Sequence, residues 1–139
     1  MLLNDRINTC ELLTRQKVHL ESTICVLCND HNMEDRMHLL FSCPFSQGFW
    51  WSINMEWNID LNINMMIMEA RQRYKWDFFM EIITIGCWSI WNQRNDKVFE
   101  DIQFSIQACT DNFKKYFRDT IIRAKPSIKE GMLSWLDSV

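Results

Sequence analysis

The chain has 139 residues, 47% of them hydrophobic, and a formal net charge of −3; this excludes a disordered chain and supplies enough apolar material for a core. Lys and Arg number 4 against 8 Asp and Glu in residues 1–60, and 11 against 10 in residues 61–139, so the overall basic footprint of an autonomous nucleic-acid binder is missing. Three glycines and two prolines leave little for tight turns, so long helices with short connections are expected.

Met1-Leu2-Leu3 runs straight into Asn4-Asp5-Arg6, which is not the opening of a secretory signal, and no apolar run reaches the roughly 18 residues of a membrane span. An intracellular, reducing location is therefore expected. In that setting the six cysteines, Cys10, Cys25, Cys28, Cys43, Cys87 and Cys109, are read as metal ligands, redox groups or buried apolar residues before disulfides.

Residues 4–16 read as a short helix capped by Asn4, with Ile7, Leu12 and Leu13 on its apolar side, and residues 17–24 as extended or irregular. After a cysteine-histidine cluster, Pro44 opens a helix expected over 44–56, with Phe45, Phe49 and Ile53 on one face. Residues 57–64 form a connector. Helical periodicity then runs from Met65 to about Glu100, with a break near Tyr74-Lys75. In its second half Phe78, Ile82, Ile85, Trp88, Trp91, Asn95 and Val98 are expected to share the buried face. A helix over about 104–124 would bury Phe104, Ala108, Phe113, Phe117 and Ile121 and stop at Pro126. A terminal helix over 127–138 would dock through Leu133 and Trp135 or Leu136. The expected fold is mainly α: a small structural zinc module (1–56) followed by a bundle of long helices (57–139).

The cluster reads Cys25-x2-Cys28-x9-His38-x4-Cys43. A Cys-x2-Cys pair presents two thiolates from one tight turn, and a helix end at His38 followed by a chain reversal brings in an imidazole and a third thiolate. Together they are the soft and borderline donors that tetrahedral Zn²⁺ prefers. Four protein ligands leave no position for water, so the site is expected to be structural, and the ion would supply the folding energy of a segment too short to fold alone. A redox Cys-x-x-Cys is the competing reading; it lacks the strand-then-helix setting and leaves His38 and Cys43 without a role. Cys10, Cys87 and Cys109 are read as inert and buried, and His19 and His31 as surface residues.

The run "CVLCNDHNMEDRMHLLFSCPFSQGFWWSI" resembles the zinc-binding domain that follows the reverse transcriptase in non-LTR (LINE-type) retrotransposons, those of plants especially. Cys25 and Cys28 match the family's first pair, Glu34 and His38 its Glu-x3-His, and Leu39, Leu40, Phe41, Cys43, Pro44 and Phe45 the stretch that follows, with Trp50 at the end. "RINTCELLTRQ" upstream and "WSIWNQRNDKVFE" downstream are similar to neighbouring family segments. The resemblance implies a non-catalytic accessory module that holds RNA or single-stranded DNA; the alternative is a helical scaffold pinned by zinc that docks on a protein such as an upstream polymerase region, a remnant without its own activity. The helices that the family carries before the Thr segment are not expected within these 139 residues, which contain no Tyr-x-Asp-Asp; on this resemblance a truncated element or a remnant of one is expected.

Glu34, one helical turn before His38, is placed to orient the imidazole or to favour a helix N-terminus. Trp88, Trp91, Arg94 and Asn95 could stack on bases, but their helical spacing predicts core, with Asn95 satisfying a buried backbone group and Arg94 an acidic neighbour. Lys114, Lys115, Arg118, Arg123 and Lys125 stand against Asp111 and Asp119 in residues 105–125. They form the best phosphate-contacting face in the chain, or an ordinary solvated one. No nucleophile–base set, glycine-rich phosphate loop or Walker pattern occurs, so neither an enzyme nor a small-molecule substrate is expected.

Overall fold

The computed structural model describes residue 9, residues 24–28 and residues 32–139. The sequence readings of a helix at 4–16, of irregular backbone at 17–23, and of Cys10, His19 and His31 lie outside the described residues. Among those described there is no strand, only an isolated antiparallel bridge between Ile24 and Met33. A π-helical turn, His38–Ser42, leads into five α-helices: α1 (Pro44–Ser52), α2 (Ile63–Tyr74), α3 (Phe79–Glu100), α4 (Ile106–Ile122) and α5 (Pro126–Ser138).

Helix boundaries follow capping chemistry. α1 begins at Pro44 as expected but stops four residues early. Asn54 adopts φ 60, so that Met55 N–H donates to the Trp50 carbonyl and Asn54 N–H to that of Trp51. This is the paired arrangement that closes a helix on a left-handed residue. α2 starts at Ile63, two residues before the expected Met65, because the Asn62 side chain accepts from Met65 N–H at 3.0 Å. It ends at the expected break, with Lys75 left-handed at φ 50. Ser105 caps α4 by accepting from Ala108 N–H at 3.0 Å. Pro126 stands at the first position of α5, where its missing N–H costs nothing.

One core runs from Cys25 to Leu136, across α1 to α5, and is largely aromatic. Phe41 stacks on Trp50 at 5.9 Å, Phe49 meets Phe113 at 5.7 Å, and Phe113 and Phe117 pack against Trp135 at 5.9 and 5.1 Å. Phe45, Phe49 and Ile53 are buried as expected, and so are Phe113, Phe117 and Ile121.

The expected buried face of α3 is corrected. Phe78 and Ile82 are buried, but Trp88 is 45% and Val98 42% exposed, and Ile85, Trp91 and Asn95 are half-buried. The face turned inward carries Ile83, Gly86, Cys87, Ser89, Ile90, Gln93 and Arg94. Close approach decides this register: a Cβ on Gly86 would stand 2.6 Å from Trp50 Cζ3 and 3.3 Å from Phe49 Cε1. Gly86 therefore faces Trp50 and Phe49 of α1, and the bulky indole of Trp88 is turned out. In α5 Leu133 is likewise exposed, and the docking stripe is Met132, Trp135 and Leu136, spaced three and four apart.

Candidate metal centre

Two short pieces of backbone carry the four sequence-predicted ligands. In the first, Cys25 N–H donates to the Asn32 carbonyl at 2.9 Å, and the chain turns through Val26-Leu27, so Cys25 and Cys28 face the same side. In the second, the Asp35 carboxylate accepts from His38 N–H at 2.6 Å and so starts the turn as a capping side chain does.

The π-helical turn explains the four-residue gap between His38 and Cys43. On an α-helix, residues five apart point about 140° away from each other. Here Cys43 N–H donates to the His38 carbonyl at 2.7 Å, which widens the turn by one residue and brings both side chains to one side. The sequence reading of an α-helix followed by a reversal is refined accordingly.

This wide turn leaves carbonyls without α-helical donors, and α1 supplies them. Ser46 Oγ donates to the Leu39 carbonyl, Trp50 Nε1 to that of Leu40 at 2.8 Å, and Gln47 Nε2 to that of Ser42 at 2.8 Å. The sequence reading singles out Trp50 but not Ser46 or Gln47. Their signal is the polar residues placed three and four positions after Cys43, on a helix otherwise apolar.

The ligand atoms of Cys25, Cys28, His38 and Cys43 all lie within 4.8 Å of one another. Cys25 Sγ and Cys43 Sγ are 4.0 Å apart, and Cys28 Sγ and His38 Nε2 are 3.4 Å apart. Tetrahedral zinc with bonds of about 2.3 Å to sulfur and about 2.0–2.1 Å to nitrogen requires edges of about 3.8 Å between sulfurs and about 3.6 Å from sulfur to nitrogen. The set fits the ion, and the four side chains form a structural zinc site. Cys25 and Cys43 are buried and Cys28 is partly exposed, so Cys28 marks the side on which solvent meets the centre.

The electrostatics suit a cation. Cys43 and the burial of the site push the Cys25 thiol up. The hydrogen bond with Cys25 and the backbone N–H groups of Phe45 and Ser46 hold Cys43 low, and Cys43 lies at the positive end of α1. The two sulfurs crowd each other, and a divalent cation between them would stabilise both as thiolates.

Both Glu34 oxygens accept from Arg94: Oε1 from Nη2 at 2.7 Å and Oε2 from Nε at 3.0 Å. The acidic neighbour expected for Arg94 is therefore Glu34, 60 residues away in sequence. Asn95 Oδ1 accepts from Arg94 Nη1 at 3.0 Å, which replaces the backbone role expected for Asn95. Of the cations in residues 105–125, Lys115, Arg118, Arg123 and Lys125 are exposed and Lys114 is half-buried, with its Nζ donating to the Val139 carbonyl at 2.7 Å. Cys87 and Cys109 are buried, and burial pushes both thiols up.

Residues 1–50 match the family model described as zinc-binding in reverse transcriptase. The likeness to a reverse-transcriptase zinc-binding domain therefore holds for this N-terminal part, and the match contains all four ligands. No curated protein and no solved structure matches the chain. No helix among the described residues is long and apolar enough to cross a membrane.

Proposed function

We propose that the protein is a non-catalytic, zinc-pinned accessory module of a non-LTR retrotransposon reverse transcriptase, which works inside the cell and holds RNA or single-stranded DNA beside the polymerase. The convergence of Cys25, Cys28, His38 and Cys43 within 4.8 Å, inside the segment that matches the reverse-transcriptase zinc-binding family, carries this reading. The non-catalytic part is supported by a ligand set with no position left for a reacting water and by Cys87 and Cys109, whose burial makes them poor nucleophiles.

The nucleic-acid part is supported by the exposed Lys115, Arg118, Arg123 and Lys125, which stand where phosphates can reach them. Titration of the zinc-loaded chain with single-stranded RNA at several salt concentrations tests it. The expected result is weak binding that falls as salt rises, with a shallower salt slope in the Lys115→Ala, Arg118→Ala double variant. No binding at low salt overturns this part and leaves the zinc assignment standing.

A second reading, a helical scaffold that docks on a protein such as the upstream polymerase region, is favoured by the exposure of Trp51 (61%), Phe99 (72%) and Ile122 (74%). Apolar side chains of this size at the surface suit a covered interface. Binding to a polymerase fragment that persists at high salt would favour this reading over the first.

A further inference from the structure

Arg94 lies on α3, outside the matched residues 1–50, and its guanidinium forms two parallel hydrogen bonds with Glu34. The pair is sealed from water: the side chains of Arg94 and Glu34 are 5% and 0% exposed. The Trp91 ring stands over the guanidinium, 4.9 Å from its carbon. A bidentate pair in this setting is directional as well as attractive, since two bonds fix the plane of the carboxylate. Removing either partner would leave the other charge buried and unpaired.

Glu34 occupies the joint between the two ligand-bearing pieces. Immediately before it, Met33 closes the bridge to Ile24 that frames Cys25 and Cys28. Immediately after it, Asp35 caps the turn that carries His38 and Cys43, and Asp35 N–H donates to the Met33 carbonyl at 3.1 Å. Whatever holds residue 34 therefore sets the angle between the Cys25/Cys28 half and the His38/Cys43 half.

Resting on the zinc reading above, we infer that Arg94 is a positioning residue of the metal centre: through Glu34 it fixes how the two ligand pairs face each other, so α3 governs how tightly zinc is held without touching it. The unit that binds zinc well consequently extends to α3 and is not contained in residues 1–50.

The test uses the zinc-loaded full chain. Metal content is measured first, then zinc release to the chromophoric chelator 4-(2-pyridylazo)resorcinol, in wild type and in Arg94→Met, Arg94→Lys and Glu34→Gln. A Phe117→Leu control perturbs the Phe78, Phe113 and Trp135 cluster. Loss of groups that orient metal ligands costs about 10–100-fold in affinity. Arg94→Met and Glu34→Gln should weaken zinc by a factor in that range. Arg94→Lys, which keeps charge but not the fork, should fall between them and wild type. Phe117→Leu should lower Tm and leave the zinc Kd unchanged.

Should Arg94→Met fail to fold, Glu34→Gln, which keeps size and one acceptor oxygen, carries the same comparison. Wild-type release rates in both variants, with wild type holding one zinc, would overturn the inference while the zinc reading stood. An equal loss of affinity in Phe117→Leu would overturn it too, by showing that affinity follows global stability. A wild-type chain that holds no zinc would sink the zinc reading and this inference together.

Discussion

Residues 24–43 and the bundle formed by α2 to α5 differ in what they bury. The first segment buries Cys25, His38, Cys43 and the carboxylate of Glu34 beside Leu27, Leu39, Leu40 and Phe41. The second buries Phe79, Ile82, Phe113, Phe117, Trp135 and their neighbours, and its main buried polar groups are Ser89, Gln93, Arg94 and Thr110. A segment of some twenty residues cannot by itself remove enough apolar surface from water to offset its own ordering, so polar ligands and an ion supplement the few apolar residues it adds to the common core. The bundle needs no such device, since aromatic pairs add about 0.5–1.5 kcal/mol each beyond the area they bury. The difference teaches that cohesion in this chain comes from coordination at one end and from packing at the other, with α1 shared between them.

The largest expected effect tests that division directly. Structural zinc contributes on the order of 10–16 kcal/mol in small peptides at neutral pH, so Cys28→Ser or a chelator should abolish zinc loading. Amide exchange protection should then collapse over residues 24–43 and spread into α1, whose Trp50 donates to Leu40. Amides of α4 and α5 should stay protected. Simultaneous loss across the chain, followed by mass spectrometry, would break the comparison and make the ion the keystone of the whole fold.

The next effect comes from the other end. Trp135 touches Trp76, Phe78, Phe113 and Phe117, and Trp135→Ala should cost about 3–5 kcal/mol, measured by urea denaturation of the zinc-loaded chain. Because the ligands lie outside this cluster, zinc content under native conditions should not change.

A third prediction sharpens the boundary. Gly86→Ala would press a methyl group onto Trp50, an indole already fixed by its bond to Leu40, and overpacking of this kind costs about 1–3 kcal/mol. Gly48→Ala meets only the Cδ1 end of Ile106, a flexible and partly exposed side chain, and should cost much less. Equal Tm values for the two variants would show that α3 does not need its close contact with α1.

The four ligands were legible in the sequence because metal geometry constrains spacing locally: the Cys-x2-Cys turn and the His-x4-Cys turn each lie within a few residues. Helix existence was legible for the same reason, and the break at Tyr74-Lys75 stands where the periodicity put it. The face of α3 was not, because a spacing of three and four fits two neighbouring stripes equally well, and the choice is made by Gly86 meeting Trp50 across the fold. Arg94 was read as needing an acidic partner, but a contact spanning 60 residues leaves no local trace that names Glu34. The π-helical turn also escaped, since its signal is the set of side chains that satisfy its carbonyls from the next helix.

The smallest prediction concerns alkaline pH and separates the two kinds of cysteine. Burial raises the thiols of Cys87 and Cys109 above the ordinary value of 9.0, so in the folded bundle both stay protonated where the unfolded chain has ionised. The unfolded state then binds fewer protons, and stability falls as pH rises past the unfolded value. Below that value their contribution is fully present. Between pH 9 and 10 each thiol should cost about 1 kcal/mol. Cys87→Ala and Cys109→Ala should each remove part of this alkaline slope, whatever they do to stability at neutral pH. Urea midpoints of the zinc-loaded chain at pH 7, 9 and 10 would reveal it. An unchanged slope in the double variant would mean that these sulfurs meet water in the native bundle and that the packing-held half is looser than its buried aromatics imply.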